Sequence, residues 1–106
     1  MILYAIKEQN TGLFVTKYHT LNELGTHTEL YKDRERAERA ISTSDEFGMT
    51  SEPIRNNLTW IYLENKYKTN RMNIDISYKE YYSIRDQIDL IVVPIKIKEI
   101  EEIEEH

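Results

Sequence analysis

The sequence predicts an α+β fold: a small antiparallel sheet made from an N-terminal hairpin and a C-terminal strand, with two or three short helices. Three observations carry this. A β-rich start, "MILYAIK", is followed by the turn-forming "EQNTG" and a second β-rich run, "LFVTKY". The strongest strand pattern, "LIVVPIKI" at 90–97, lies at the far end of the chain. Between the two, apolar residues recur at helical spacing behind helix-start signals.

In the first strand Ile2, Tyr4 and Ile6 point one way. Asn10 and Gly12 can take the positive φ that a hairpin turn needs. "HTLNELGTH" is polar, contains Gly25 and reads as loop, and "TELY" at 28–31 fits a short third strand. Asp33 is placed to cap a helix over "RERAERAI", with Ala37, Ala40 and Ile41 on one narrow stripe suited to a sheet and Glu35–Arg39 as an i,i+4 pair. "STSDEFGMTSEP" reads as loop. Ser51 as N-cap, Glu52 in the first turn and Pro53 just inside it then start a second helix through Ile54, Leu58, Ile61 and Tyr62. A strand over "LTWIYL" at 58–63 is the competing reading, because that run is β-branched and aromatic. Met72, Ile74 and Ile76 alternate as in an edge strand. Ser77 and Glu80 fit a capping box opening a short helix with Tyr78, Tyr81 and Tyr82 on one face. Residues 90–93 are apolar on both faces, which suits a central or covered strand, and Pro94 removes a ladder donor, so pairing is expected to end or bulge there on one side.

A chain of 106 residues is long enough for one domain with one core. The expected division is a globular 1–97, with 44–88 as a helical insertion, and an acidic tail at 98–106. There is no cysteine, which excludes disulfides and thiolate metal sites. The start lacks the basic and apolar regions of a signal peptide, and no apolar run is long enough to span a bilayer, so a cytoplasmic protein without membrane contact is expected. The net charge is −5, but residues 98–106 hold one lysine and five glutamates. Residues 1–97 then carry 13 basic and 14 acidic side chains, a net of −1. A nearly neutral body lacks the broad basic field that duplex binding requires. A nucleic-acid decoy would need its carboxylates spread over a rigid face, which a terminal run does not supply. Ile97, Ile100 and Ile103 recur every third residue in that run, so a helix presenting isoleucine to a partner competes with a solvated extension.

Residues 4–7, Thr11 with Gly12, 13–15, 37–41 and 93–101 together resemble a pattern in small accessory proteins of phages and prophages of Gram-positive bacteria. There a Tyr-x-Ile-Lys hairpin, an A-E-x-A-I helix and a closing strand of the K-x-K-E-I-E type recur. The likeness covers about half of the chain, in pieces, and its motifs are structural. It implies a mobile-element accessory protein, and many of that kind bind and block a host or anti-phage defence protein.

Two stretches stand out as interaction candidates. "WIYLENKYKTNR" interleaves Trp60, Tyr62 and Tyr67 with Lys66, Lys68 and Arg71. Aromatics that stack on bases beside cations on phosphates hold single strands, whereas the plainer reading is an amphipathic helix with a basic C-terminus. Tyr78, Tyr81 and Tyr82 form the second, since tyrosine offers large contact area at low entropic cost. Chemistry has weaker support. His19, Glu23 and His27 are four apart, but Gly25 argues against the helix that would align them on zinc. Asp75, Asp86 and Asp89 read as caps. No nucleophile motif and no phosphate-binding glycine motif is present, so neither an enzyme nor a cofactor is expected. The expected function is a non-enzymatic protein-interaction module. The alternatives are a small nucleic-acid-binding protein using Lys66, Lys68 and Arg71, or a DNA mimic using the terminal glutamates. A homodimer is compatible with each.

Overall fold

A computed structural model of the chain describes residues 1–97; the expectations for 98–106 lie outside the described residues. The fold is α+β: the described residues form a four-stranded antiparallel sheet, a two-stranded sheet and three α-helices. β1 (Ile2–Glu8) is central, flanked on one side by β2 (Phe14–Val15) and then β3 (Leu21–Asn22). Gly12 takes φ +73° in the turn between β1 and β2, and its N–H donates to the Glu8 carbonyl. On the other side β1 pairs with the last strand (Leu90–Lys96) over its whole length, from Ile2↔Lys96 to Glu8↔Leu90.

Two strand expectations need correction. The third strand is Leu21–Asn22, inside the stretch read as loop, while 28–31 contributes only the single bridges Thr16↔Thr28 and Tyr4↔Tyr31. A turn at 16–20 accounts for this. Thr16 N–H donates to Thr20 O, the two hydroxyls lie 2.6 Å apart, and His19 takes φ +57°, a position where glycine or asparagine would have signalled a turn. Residues 74–76 form no strand. A 3₁₀ turn at Arg71–Asn73 precedes them, and the Arg71 guanidinium holds that turn against the second helix, away from the sheet. The apolar run at 90–93 is in an edge strand, the covered alternative rather than the central one, since Leu90 joins the core and Val92 packs against it; its pairing with β1 continues past Pro94 to Lys96.

α1 (Arg34–Ile41) begins at Asp33, whose carboxylate accepts from Arg36 N–H at 2.8 Å, and it buries Ala37 fully. The following stretch, expected to be loop, forms β4 (Thr43–Ser44) and β5 (Thr50–Ser51), an exposed hairpin turned by Asp45 and Gly48. α2 (Pro53–Tyr67) settles 58–63 as helix, and Leu58, Thr59 and Leu63 are buried along it. Its cap is Glu52 and not Ser51, because Ser51 pairs in β5, and Pro53 stands at the first helical position. α3 (Tyr78–Arg85) starts at Ser77, which accepts from Glu80 N–H at 3.2 Å. The Glu80 carboxylate does not return to Ser77, so only half of the capping box forms. The last strand of the main sheet, Leu90–Lys96, is β6.

Ile6, Val15, Ala37, Ile54, Leu58 and Leu90 make the buried core cluster. Ile54 and Leu58 belong to α2, so the stretch 44–88 completes the core of the sheet rather than sitting apart from it. Alternation along β1 puts Tyr4, Ile6 and Glu8 on this covered face. Glu8 is the charged member of that set, and it is 4% exposed.

Candidate functional site

α3 is mounted on α2 by a polar bolt at one end and by aromatic packing at the other. Glu52 accepts from both Arg55 and Arg85, with each side chain about one-fifth exposed or less. Arg85 Nε also donates to Asn56 Oδ1 at 2.7 Å, the Tyr81 hydroxyl donates to the same oxygen at 3.1 Å, and Arg55 Nε donates to Ile88 O at 3.0 Å. Tyr81 packs on Trp60 with ring centroids 5.3 Å apart, and burial raises its hydroxyl above the ordinary value of 10.

This mount sets an aromatic surface in one arrangement. Tyr82 meets Tyr81 edge to face at 5.3 Å, and the Arg85 guanidinium lies 5.6 Å from the Tyr82 ring. Tyr78 lies over Tyr82 at 6.4 Å in a stacked geometry. Tyr78 is 84% exposed and Tyr82 49%, so the outer pair offers ring area to solvent while the inner pair is held. A shallow cleft of about 230 Å³ opens between Trp60, Ile76, Tyr78, Tyr81 and Tyr82.

The remaining candidates divide. Tyr62 is not in the aromatic cluster and lines a groove on another side of α2. The Tyr67 hydroxyl donates to Glu80, as does Lys66 at 3.2 Å, and these bonds hold the Glu80 carboxyl below the usual carboxylate range. Arg71 reaches Glu64 at 3.0 Å and Asn57 at 2.9 Å, and the same guanidinium lowers the Glu64 carboxyl. Lys68 is exposed and takes the left-handed cap of α2 at φ +55°. Two of the three cations proposed for a nucleic-acid strand therefore already face carboxylates. In the loop, His27 lies against Tyr18 with ring centroids 6.0 Å apart, and no three metal-ligating side chains gather among the described residues.

One groove was not anticipated from the sequence. It measures about 790 Å³ and lies between the β1–β2 turn, β3, α2 and the C-terminal end of α3. Leu21, Leu58, Ile61, Ile84 and Ile88 line its apolar part, and Glu8 contributes a carboxylate. Glu8 Oε1 accepts from Thr11 N–H at 2.9 Å, and Oε2 accepts from Asn10 Nδ2 at 3.2 Å and Asp89 N–H at 3.0 Å. Burial pushes the Glu8 carboxyl up, but the donors from Asp89, Thr11 and Asn10 outweigh it and hold the group below the usual range. One signal was available: Glu8 continues the inward series of Tyr4 and Ile6, where a charge requires a partner.

Comparison of the chain with protein-family models, with curated proteins and with solved structures finds no match in any of the three.

Proposed function

We propose that the protein is a non-enzymatic interaction module of phage or mobile-element origin that binds a host or anti-phage defence protein and occludes part of its surface. The observation that carries this is the exposed Tyr78–Tyr82 pair on a helix bolted to its neighbour. An aromatic surface held in one conformation loses little entropy when a partner covers it, and aromatic rings with a nearby arginine are the composition of interface centres. The mobile-element origin rests on the resemblance of the hairpin, the α1 pattern and the closing strand. A nucleic-acid role is less well supported, because Lys66 and Arg71 are already compensated by Glu80 and Glu64. No helix among the described residues is long and apolar enough to cross a membrane.

The test is affinity capture from nuclease-treated host lysate with the tagged full chain beside a Tyr78→Ala/Tyr82→Ala double variant. The expected result is one stoichiometric protein that the native chain retains and the double variant loses. Equal retention by both would remove the tyrosine pair as the contact. Recovery of nucleic acid in place of protein, in a parallel sample without nuclease, would overturn the reading.

A further inference from the structure

We propose that the groove beside the β1–β2 turn binds a small organic cation, a primary ammonium on an apolar body, with the ammonium at the Glu8 carboxylate. This site is separate from the tyrosine surface and does not depend on it. Glu8 is the sole charged side chain lining the groove among the described residues, and no lysine, arginine or histidine faces it there. Its donors are neutral groups of Asn10, Thr11 and Asp89, the Thr11 hydroxyl among them, and none of them carries a positive charge. These donors keep the carboxylate ionised without a counter-charge, and a ligand that brings one gains an attraction that no side chain lining the groove supplies.

The rest of the lining specifies the ligand's body. Leu21, Leu58, Ile61 and Ile88 offer an apolar wall, and the half-exposed Tyr62 ring is a second surface that favours a cation. The volume of about 790 Å³ lies in the range of small-molecule sites, roughly 300–1,000 Å³. Asn10 Nδ2 donates to Gln87 O at 2.7 Å and Gln9 Nε2 to Asp89 Oδ2 at 2.8 Å. These bonds tie the β1–β2 turn to the segment that follows α3 and join two of the groove's lining residues, Asn10 and Gln87, directly, which favours a compact occupant over an extended peptide running through. Anions meet like charge and no compensating cation.

The experiment is an NMR amide titration of the full chain with phenethylamine, beside phenethyl alcohol as its neutral analogue, phenylpropionate as an anion and a leucine-flanked lysine peptide. The expected result is saturable shifts at Glu8, Thr11, Leu21 and Tyr62 with the amine, with the alcohol weaker by at least about tenfold and no response to the anion. Glu8→Gln should abolish the preference for amine over alcohol. Because that change also disturbs the turn, Asn65→Lys serves as a second variant. It places an ammonium on the groove wall from an exposed helical position and should weaken amine binding by about tenfold. Equal response to amine and alcohol, unchanged binding by Asn65→Lys, or absence of shifts in the groove would overturn the proposal. Tighter binding of the lysine peptide than of the amine would overturn the small-molecule occupant.

Discussion

Arg85 Nε lies 2.7 Å from Asn56 Oδ1, and through this contact and the adjoining Glu52 carboxylate α3 is fixed to the N-terminal turn of α2. A helix of eight residues has no stability of its own in water, so tertiary contacts hold α3 in place. Arg85→Ala removes two hydrogen bonds that involve charge at a site about one-fifth exposed. The expected cost is about 2 kcal/mol, read as a lower urea midpoint at unchanged slope. Partner capture should weaken with it, because Tyr78 and Tyr82 lose their mount. A midpoint within error of the native protein would show that α3 is held by its aromatic packing alone.

Leu63 and Tyr78 make opposite predictions. Leu63 is fully buried on α2, and Leu63→Ala should cost about 3 kcal/mol through lost transfer energy and a cavity. Tyr78 is among the most exposed side chains, so Tyr78→Ala should leave stability within about 0.5 kcal/mol while reducing partner binding. Thermal unfolding of both variants beside the capture assay checks the pair. A Tyr78→Ala protein as destabilised as Leu63→Ala would make that ring part of the core.

The elements that local chemistry determines are the ones the sequence discloses. Asp33 and Ser77 announce α1 and α3 because a short polar acceptor before an amphipathic run has first-turn N–H groups to satisfy. Tyr78, Tyr81 and Tyr82 share a helical face, so their meeting follows from spacing. A two-residue offset turns a helix by about 200°, which separates Trp60 from Tyr62. What stays hidden is non-local. Alternation at 72–76 mimics a strand, but the bonds of Arg71 to Glu64 and Asn57 hold the start of that segment against α2, and no described strand pairs with it. β3 depends on a left-handed His19, which residue type does not signal. The groove joins residues from positions 8 to 88, and no short window of sequence contains it.

Glu8 makes stability depend on pH in a direction that can be worked out. Its folded carboxyl lies below the ordinary value of 4.5, so the unfolded chain binds the proton more readily. The Glu8 contribution is therefore complete above about 4.5 and is lost as pH falls through the lower folded value. Glu8→Gln should be less stable at neutral pH and should lose part of the acid-side slope, so that the native and variant curves converge toward acid. Urea midpoints measured from pH 7 down to pH 2 check this. Parallel curves at all pH values would remove Glu8 as a source of the acid response.

Among the described residues no strand pairs with the outer side of β6, and the register of β1 and β6 decides which groups that side presents. Tyr4 exchanges both of its backbone bonds with Tyr31, at 2.9 and 2.8 Å, while Gln9 and Met1 bond to Asp89 and Ile97 across the ladder. Tyr4↔Pro94 is therefore a pair without mutual hydrogen bonds, and the Pro94 nitrogen faces the free edge, where its missing N–H leaves no donor. The Val92 carbonyl on the same edge accepts from Arg34 Nη1 at 3.4 Å, and Lys96 is exposed beyond it. Proline and charge on an edge are recognised means of preventing strand addition. Pro94→Val restores a donor in a β-forming residue, and Arg34→Ala frees the carbonyl. Sedimentation velocity over a concentration series should show greater self-association for Pro94→Val than for the native chain, and more again for the double variant. If both variants sediment as the native protein does at every concentration, the edge is protected by something other than Pro94 and Arg34.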